Sequence, residues 1–309
     1  MRKELGGLIA QTYVGIRRKV RAIVTANSTL DRLVARRLVK IDVLLRRTGV
    51  LDPLLETGIY NFNGLKLHSN PNRNELIASL VTNGSYEPET LEAIISTLQP
   101  GSNFVDLGAH IGFFALHAAQ IIGESGRVFA FEPTPETRKT LTRNVRENNF
   151  DSRVVIAPYA ISDKRQTVFF ELQKQSQGNT VVADKSELPD GAVIEVEAIS
   201  LDEYFAQQGW PDIDLIKMDI EGQELNAFKG MSELLKRNPN LKIIFEYQRT
   251  QMARADVSKE QLFEKLVEMG FNRFNVLFRQ GETFQIPLDF ARLNSLAARA
   301  SFNILAESL

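Results

Sequence analysis

The chain has 309 residues, of which 43% are hydrophobic and 24% charged, a composition typical of an ordinary folded domain that excludes a disordered or collagen-like protein. Cysteine is absent from the sequence, which excludes disulfides, thiolate metal sites and a thiol nucleophile. The formal net charge of −1 conceals an asymmetry, because residues 1–50 carry 12 Lys and Arg against three acids, and the remainder carries 25 basic against 35 acidic residues. An acidic body is a poor partner for nucleic acid, so we expect no nucleic-acid ligand.

The beginning of the chain has the pattern of a basic helical extension. Apolar residues recur every three or four positions in it, which predicts amphipathic helices over 1–55, followed by a domain over 56–309. Such helices lie on anionic membrane surfaces or pack on their own domain, and the second arrangement is the commoner one. The sequence has neither a cleavable signal pattern nor an apolar run long enough to span a bilayer. We expect a cytoplasmic protein with at most weak peripheral contact to the inner membrane surface through residues 1–50.

Beyond this extension, the pattern predicts a hairpin over 58–70 and then an α/β domain. Short apolar runs alternate with helical stretches from Pro100 onwards, which predicts βαβ units and a doubly wound parallel sheet. The predicted strands are 103–107, 127–131, 154–159, 214–218 and 241–245. The predicted helices are 112–122, 135–149, 222–236 and 258–269.

Two segments depart from this alternation. An insertion near 166–198 contains β-type runs at 166–172 and 193–198, which predict a peripheral β-pair joined by a mobile polar loop. The tail contains two further β-type runs, at 272–278 and 282–286, separated by Gln280 and Gly281. They predict a C-terminal antiparallel hairpin that closes the sheet.

The sharpest motif follows the strand predicted at 103–107 and has the sequence Asp-Leu-Gly-Ala-His-Ile-Gly. Gly108 and Gly112 allow the backbone to turn and to approach a ligand at the carboxyl end of the sheet, where doubly wound folds bind ligands. The motif lacks the G-x-G-x-x-G of dinucleotide-binding folds, and the Asp106 carboxylate would oppose a phosphate. It suits a cationic group such as an amino-acid ammonium, although a structural turn explains the glycines equally well.

Acids also follow three other predicted strands. Glu132 comes 26 residues after Asp106, at a position where an acid accepts hydrogen bonds from ribose hydroxyls or simply begins the next helix. Asp219 and Glu221 follow the strand at 214–218, and Glu246 follows the strand at 241–245. Carboxylates at one sheet edge can orient or deprotonate a hydroxyl, or hold a divalent cation. We favour the proton-transfer role and expect no metal.

Several spaced motifs carry a family resemblance. In chain order they are the run at 106–112, Phe131-Glu132-Pro133, Leu201-Asp202, the Ile-Lys-Met-Asp-Ile-Glu-Gly run at 216–222, and Phe245-Glu246. Together they resemble the FkbM family of S-adenosylmethionine-dependent methyltransferases, with a likeness that extends from about Gly64 to Gly281. The resemblance implies the class I methyltransferase (Rossmann-like) fold, in this chain with an N-terminal helical extension.

The resemblance also assigns cofactor contacts. It places Asp106, Gly108 and Gly112 along the methionine part of S-adenosylmethionine, and Glu132 at its ribose. His110 stands where the family usually has Asn; both side chains donate hydrogen bonds, so we expect cofactor binding to survive. An unperturbed imidazole titrates near ~6.5, so a titrating His110 would make the site sensitive to pH. A histidine at such a position is more often only a hydrogen-bond donor of the loop, and we assign His110 no catalytic role.

The activity implied by the resemblance is methyl transfer to a hydroxyl of a saccharide, glycolipid or polyketide-like acceptor. Asp219 is the first candidate for acid–base or hydroxyl-orienting work, followed by Glu246 and Glu221. Two alternatives are a non-catalytic cofactor-binding scaffold and a nicotinamide-dependent oxidoreductase, and the missing G-x-G-x-x-G disfavours the second. The expected partner is a small-molecule, saccharide or lipid-linked acceptor, and the sequence leaves its identity and the oligomeric state open.

Overall fold

The computed structural model describes residues 58–68, 76–77, 79–80, 84–171, 180–182, 193–277, 283–285 and 301–308. The chain divides into two compact units, Met1–Pro88 and Glu89–Leu309. The predicted basic extension over 1–55 and its boundary lie outside the described residues, so both stay predictions. No helix in the described ranges is long and apolar enough to cross a membrane.

The described part of the first unit contains the predicted hairpin. Its strands, β1 (Ile59–Phe62) and β2 (Leu65–His68), pair in antiparallel orientation. Asn63 and Gly64 form the turn with φ values of 50° and 81°, a conformation that Asn and Gly tolerate better than other residues. The Asn-Gly pair therefore explains why the hairpin forms at this place.

From Pro88 onwards, helices and strands alternate as the sequence predicts. The described elements are, in chain order, α1 (Pro88–Thr97), β3 (Asn103–Leu107), α2 (Phe113–Ile122), β4 (Arg127–Phe131), α3 (Pro135–Glu147), β5 (Val154–Ala157), β6 (Ala160–Ile161), β7 (Gln166–Glu171), β8 (Thr180–Val182), β9 (Val193–Ile199), α4 (Leu201–Gln207), β10 (Leu215–Met218), α5 (Glu224–Lys229), α6 (Ser232–Arg237), β11 (Lys242–Gln248), α7 (Arg249–Arg254), α8 (Lys259–Glu268), β12 (Arg273–Leu277), β13 (Thr283–Gln285) and β14 (Ser301–Glu307).

In this part of the chain, eight strands form one sheet in the order β13-β12-β14-β11-β10-β3-β4-β5. The strands from β11 to β5 in this order run parallel to one another, whereas β14 is antiparallel to both β11 and β12. The direction of winding reverses at β3, which lies between β4 and the much later β10. Doubly wound folds bind ligands at the carboxyl ends of the strands beside such a switch point. The predicted doubly wound parallel sheet is confirmed.

Helices cover both faces of this sheet. Ile216 and Met218 of β10 enter the main apolar core, which also contains Phe205 of α4 and Phe228 of α5. Lys217 lies between them in sequence and therefore points to the opposite face, because side chains alternate along a strand. There its ammonium lies 5.0 Å from the ring centre of Phe114 in α2.

The prediction of one helix over 222–236 is wrong, because the segment forms α5 and α6 with a break at Gly230. A Cβ on Gly230 would lie 2.4 Å from the carbonyl oxygen of Ser162, so only glycine permits this close approach. The Gly230 carbonyl accepts a hydrogen bond from the Asp202 N–H at 2.9 Å. Packing between distant segments therefore ends the first helix where the periodic pattern continues.

The predicted β-pair of the insertion is present, because β7 and β9 pair in antiparallel orientation, but the loop predicted between them contains a further strand. In the described residues the insertion belongs to a four-stranded sheet in the order β6-β9-β7-β8. Strand β8 lies inside the segment predicted as a loop, and its sequence Thr-Val-Val consists of β-branched residues that favour extended backbone. Three residues are too few to stand out against the polar residues around them.

In the tail, β12 and β13 form the predicted antiparallel hairpin, but this hairpin does not pair directly with the strand before it. Instead β14 lies between β11 and β12 and pairs with both. Phe302, Ile304 and Ala306 alternate along β14 and are buried. The sequence therefore contains the alternation of apolar residues that predicts a strand at this place.

Asp202 generates a prediction about stability. Its carboxylate accepts hydrogen bonds from the backbone N–H groups of Glu233 at 3.0 Å and Leu234 at 2.8 Å, in the first turn of α6. We expect Asp202→Ala to lower the free energy of unfolding by about 1–2 kcal/mol, because those donors lose their acceptor. Denaturant unfolding measures the change. Glu92→Ala, at an exposed position of α1, is the control, and equal losses in both variants would contradict the capping role.

Candidate active site

The loop after β3 is held against the ends of both neighbouring strands. The N–H groups of Gly108 and Ala109 donate to the Phe131 carbonyl at 3.1 and 2.9 Å, and the Asp219 N–H donates to the Leu107 carbonyl at 3.1 Å. Gly108 has a φ of 78°, and a Cβ on it would lie 2.1 Å from the Asp219 carbonyl oxygen. The glycine therefore brings the ends of β3 and β10 into direct backbone contact.

Glu132 joins the same loop to the end of β4. Its carboxylate accepts hydrogen bonds from the His110 N–H at 3.0 Å and from the Thr134 N–H at 2.8 Å. Burial raises the pKa of Glu132 to about 7, although these hydrogen bonds and the charge of Arg138 act in the opposite direction. A carboxylate offers about four acceptor positions, so Glu132 can still accept a hydrogen bond from a ligand hydroxyl.

His110 does not give the site the sensitivity to pH that an unperturbed imidazole would give. Burial lowers the pKa of the imidazole to about 4, while the nearby Asp219 carboxylate opposes the shift. His110 is therefore neutral at pH 7, in agreement with the favoured role as a hydrogen-bond donor of the loop. The residue has a φ of 52°, a left-handed conformation in which Asn and His are enriched. That backbone requirement explains how His can replace the Asn usual in the resembling family.

At the end of β10, Asp219 forms an ion pair with Lys217. The Lys217 Nζ lies 3.2 Å from Asp219 Oδ2, and the side chains are 3% and 27% exposed. Lys217 also pairs in register with Asp106 on β3, so both side chains occupy the same face of the sheet. Asp106 is completely buried. The buried ammonium therefore lies among acids from two neighbouring strands.

Glu221 and Glu224 lie in the turn that follows Asp219. Glu224 Oε1 accepts hydrogen bonds from the N–H groups of Ile220 and Gly222 at 3.3 and 3.4 Å, and burial raises the Glu224 pKa to about 7. Burial, reinforced by the charges of Asp219 and Glu224, raises the pKa of Glu221 to about 8. Within the described residues, no donor forms a hydrogen bond with Glu221 Oε2. Glu221 is therefore largely protonated at pH 7 and a weaker candidate base than its position suggests.

Glu246 lies on β11, the next strand along the sheet. Because Met218 pairs with Phe245, Glu246 lies one row further along, beside the position of Asp219. On its other side, Glu246 is opposite Asn303 of β14, whose Nδ2 donates to Thr90 Oγ1 at 2.8 Å. The sheet edge therefore continues from the carboxylates of β10 into a row of polar side chains.

The structure thus brings together most of the residues that the sequence singles out. His110 donates its N–H to Glu132, and Gly108 in the same loop is in backbone contact with Asp219. Gly112 has a φ of 93° at the start of α2, where a Cβ would lie 2.6 Å from Leu141 Cδ1. These contacts give both glycines a packing role, and their contact with a cofactor stays a prediction. In the described ranges, no group of three or more His, Cys, Asp or Glu is arranged to hold a metal ion.

Sequence reasoning missed Lys217 and the pair formed by Asn303 and Thr90. Lys217 carried a visible signal, because a lysine inside the otherwise apolar run of β10 requires a partner for its charge. Asn303 and Thr90 carried none, because their meeting depends on the placement of β14 beside β11. Residues that are more than 200 positions apart in the sequence come into contact here only because of the order of the strands in the sheet.

The burial of Glu224 generates a prediction about pH. Its folded pKa of about 7 exceeds the ordinary value of 4.5, so the folded state holds its proton longer and loses stability as pH rises between these values. We expect Glu224→Gln to resemble the wild type near pH 5 and to be more stable by about 1–2 kcal/mol at pH 8. Thermal unfolding across this range measures the difference. Glu264→Gln, exposed on α8, is the control, and a gain for Glu224→Gln that is independent of pH would contradict the expected titration.

Comparison with known proteins identifies the family. Residues 106–273, more than half of the chain, match the model of the methyltransferase FkbM domain. Methyltransferase sdnD of Sordaria araneosa is 29% identical over 166 residues, covering 45% of this chain and 64% of the relative. Hexuronic acid methyltransferase AglP of Haloferax volcanii is 27% identical over 150 residues, which cover 48% of this chain and 58% of the relative.

A third relative is 31-O-demethyl-FK506 methyltransferase FkbM of Streptomyces tacrolimicus, 28% identical over 163 residues that cover 44% of this chain and 62% of the relative. The chain spans less than two thirds of the length of each of these relatives. The match confirms the predicted methyltransferase domain, and this family implies S-adenosylmethionine as the cofactor. The doubly wound sheet agrees with this assignment. Because the family model matches from Asp106 to Arg273, the chain belongs to the FkbM methyltransferase family.

Proposed function

We propose that the chain transfers a methyl group from S-adenosylmethionine to a hydroxyl oxygen of a saccharide, glycolipid or polyketide-like acceptor. The observation that carries the proposal is the Asp219 carboxylate at the end of β10. It is held by Lys217 and lies against the loop that the family motif assigns to the cofactor. A carboxylate at this place can take a proton from an acceptor hydroxyl.

The donor groups of the site fit the cofactor. Glu132 is a buried acid with remaining capacity to accept a ribose hydroxyl, and Asp106, Gly108, His110 and Gly112 are the residues that would hold the methionine part. S-adenosylmethionine supplies, when bound, a methyl group activated by a sulfonium cation. The acids at this edge favour a cation electrostatically, whereas they would oppose a phosphate.

Asp219 is the proposed base. As the acceptor oxygen forms its bond to the methyl carbon, the bond between that carbon and the donor sulfur would break, and S-adenosylhomocysteine would leave as a neutral thioether. The O–H bond of the acceptor breaks in the same step, and its proton passes to the Asp219 carboxylate. Burial and the neighbouring charges raise the pKa of Glu221 to about 8, so most Glu221 side chains already hold a proton at pH 7, which supports Asp219 over Glu221. Glu246, one strand further along, is the next candidate and orients the acceptor in this proposal.

Two observations support an acceptor that carries hydroxyl groups. Glu246 and Asn303 offer both acceptors and donors of hydrogen bonds next to Asp219, which suits a ligand with several hydroxyls. Two relatives are named as methyltransferases of hexuronic acid and of 31-O-demethyl-FK506. The non-catalytic scaffold remains the alternative, and it predicts cofactor binding without turnover. Membership of a methyltransferase family counts against the nicotinamide-dependent oxidoreductase.

Glu132 generates a prediction about cofactor affinity. Its proton leaves as pH rises through a pKa of about 7, and the ionised carboxylate is the better acceptor for hydroxyl donors. We expect affinity for S-adenosylhomocysteine to increase about tenfold between pH 6 and pH 8. Isothermal titration calorimetry measures it, and this ligand avoids the charge of the sulfonium.

The matched variants are Glu132→Ala and Glu136→Ala, the second at an exposed position of α3. We expect Glu132→Ala to lose roughly 1.5–3 kcal/mol of binding free energy and most of the pH dependence. Glu136→Ala should retain both. If folded Glu132→Ala binds as the wild type does, β4 does not end at the ribose.

Asp219 generates the prediction that tests the function itself. We expect Asp219→Asn to reduce turnover by a factor of ~10²–10⁴, the usual loss for a general base, because Asn keeps the shape without the basicity. Affinity for S-adenosylhomocysteine should change little. Release of S-adenosylhomocysteine is measured with methyl glucoside, methyl glucuronide and a macrolide polyol as acceptors, with and without chelator.

The outcomes separate the possibilities. Near-normal turnover by folded Asp219→Asn would remove Asp219 as the base and leave Glu246. Loss of activity with chelator, restored by Mg²⁺ or Mn²⁺, would favour a metal held by Asp219 and Glu221 instead. A wild-type chain that binds S-adenosylhomocysteine but turns over none of the acceptors would contradict the proposed acceptor classes.

A further inference from the structure

Lys217 is a buried charge that the proposed reaction has not used. It lies in the middle of β10, where the whole strand is buried, and its side chain is 3% exposed. An ammonium removed from water costs several kcal/mol unless an ion pair offsets the loss. An apolar residue at this position would avoid that loss of free energy, so the presence of lysine indicates a role for its charge.

The surroundings of Lys217 direct its charge toward the site. Asp219 lies two residues later on the same face, and its Oδ2 is 3.2 Å from the ammonium. Asp106 is the register neighbour on β3, and the ring of Phe114 in α2 lies 5.0 Å away. Among the other groups of the site, His110 and Glu221 are close enough for the charge of Lys217 to influence both.

We propose that Lys217 is a positioning residue, whose ammonium fixes the Asp219 carboxylate in the orientation needed to receive the acceptor proton. This inference rests on the proposed function. A free aspartate at a strand end has several side-chain rotamers, and only some of them direct the carboxylate toward a given oxygen. Holding a catalytic group in the productive geometry is a large part of catalysis, and a small displacement lowers turnover strongly.

Phe114 connects this ion pair to the cofactor loop. It is the second residue of α2, directly after the loop from Gly108 to Gly112, and its ring packs on the Lys217 ammonium. The loop assigned to the cofactor, the lysine and the proposed base are therefore joined by consecutive contacts. Asp219 is fixed relative to the loop both by its backbone, at Gly108, and by its side chain, through Lys217.

A purely structural role is the competing explanation. Lys217 would then only neutralise the buried Asp106, and its loss would weaken the fold without acting through Asp219. The two roles differ in one measurable respect. If Lys217 acts through Asp219, its removal has no further effect on turnover once Asp219 has lost its carboxylate.

The first experiment measures the ion pair without any acceptor. The rate at which a carbodiimide modifies Asp219 is followed by mass spectrometry in the full chain with S-adenosylhomocysteine bound. We expect modification at least fivefold faster in Lys217→Met, because the carboxylate loses the ammonium that holds it. Lys242→Met is the matched control, since Lys242 forms an ion pair with Glu307 at 2.7 Å at the start of the neighbouring β11. Its Asp219 should react as in the wild type.

The second experiment is a double-mutant cycle. We expect Lys217→Met to lower kcat by about 10- to 100-fold with little change in affinity for S-adenosylhomocysteine. The double variant Lys217→Met/Asp219→Asn should be no slower than Asp219→Asn alone. Lys217→Gln, a neutral side chain that still donates a hydrogen bond, replaces Lys217→Met if the latter does not fold, and Lys242→Met should retain the kcat of the wild type.

Each result decides the proposal. Faster labelling together with non-additive losses of kcat supports it. Unchanged labelling in Lys217→Met, or losses that multiply in the double variant, would overturn it while leaving the proposed function in place. A wild-type chain that binds S-adenosylhomocysteine yet methylates none of the three acceptors would instead remove the proposed function, and the inference with it, whatever the labelling shows.

Discussion

The site depends on one close approach, between Gly108 after β3 and the carbonyl oxygen of Asp219 after β10. There a single added carbon would lie 2.1 Å from that oxygen, so the two strand ends can meet only through glycine. The contact occurs where the sheet order reverses, the place at which neighbouring loops diverge in other doubly wound folds and leave a crevice. Because Asp219 is fixed there by its backbone, the direction of its carboxylate depends on the ammonium of Lys217 beside it.

The second organising feature is an excess of buried acid over buried base. Glu132, Glu221 and Glu224 all have raised pKa values because burial disfavours their charged forms. Asp219 differs from them in having an ammonium partner at 3.2 Å. Differences in the surroundings of neighbouring carboxyl groups are the usual way in which a protein separates a base from groups that only shape the site. A cationic ligand would reduce the electrostatic cost of ionising the remaining acids.

The sequence predicts the parallel part of the sheet well and the rest less well. Strands at 103–107 and 127–131 agree with β3 and β4 because their apolar runs are bounded by turn residues, and the same local signals place Glu132 and Asp219 at strand ends. The break at Gly230, the position of β14 and the contact between Asn303 and Thr90 could not be predicted, since each arises from segments far apart in the chain. His110 shows the same limit for chemistry, because its low pKa comes from burial that only the fold supplies.

The placement of β14 has a consequence for how the domain is made. Strand β11 ends at Gln248, and its partner begins at Ser301, so more than fifty residues are synthesised before this edge can be covered. Until β14 is available, the backbone N–H and C=O groups along this edge of β11 have no strand partner. The strand also carries the apolar residues Phe245 and Tyr247, so its edge is suited to pairing with another chain. Non-local strand pairs of this kind form slowly, because a long loop must close before any hydrogen bond is gained. While the residues between β11 and β14 are being synthesised, this strand edge has no partner from β14, and an unpaired edge is a common route to aggregation.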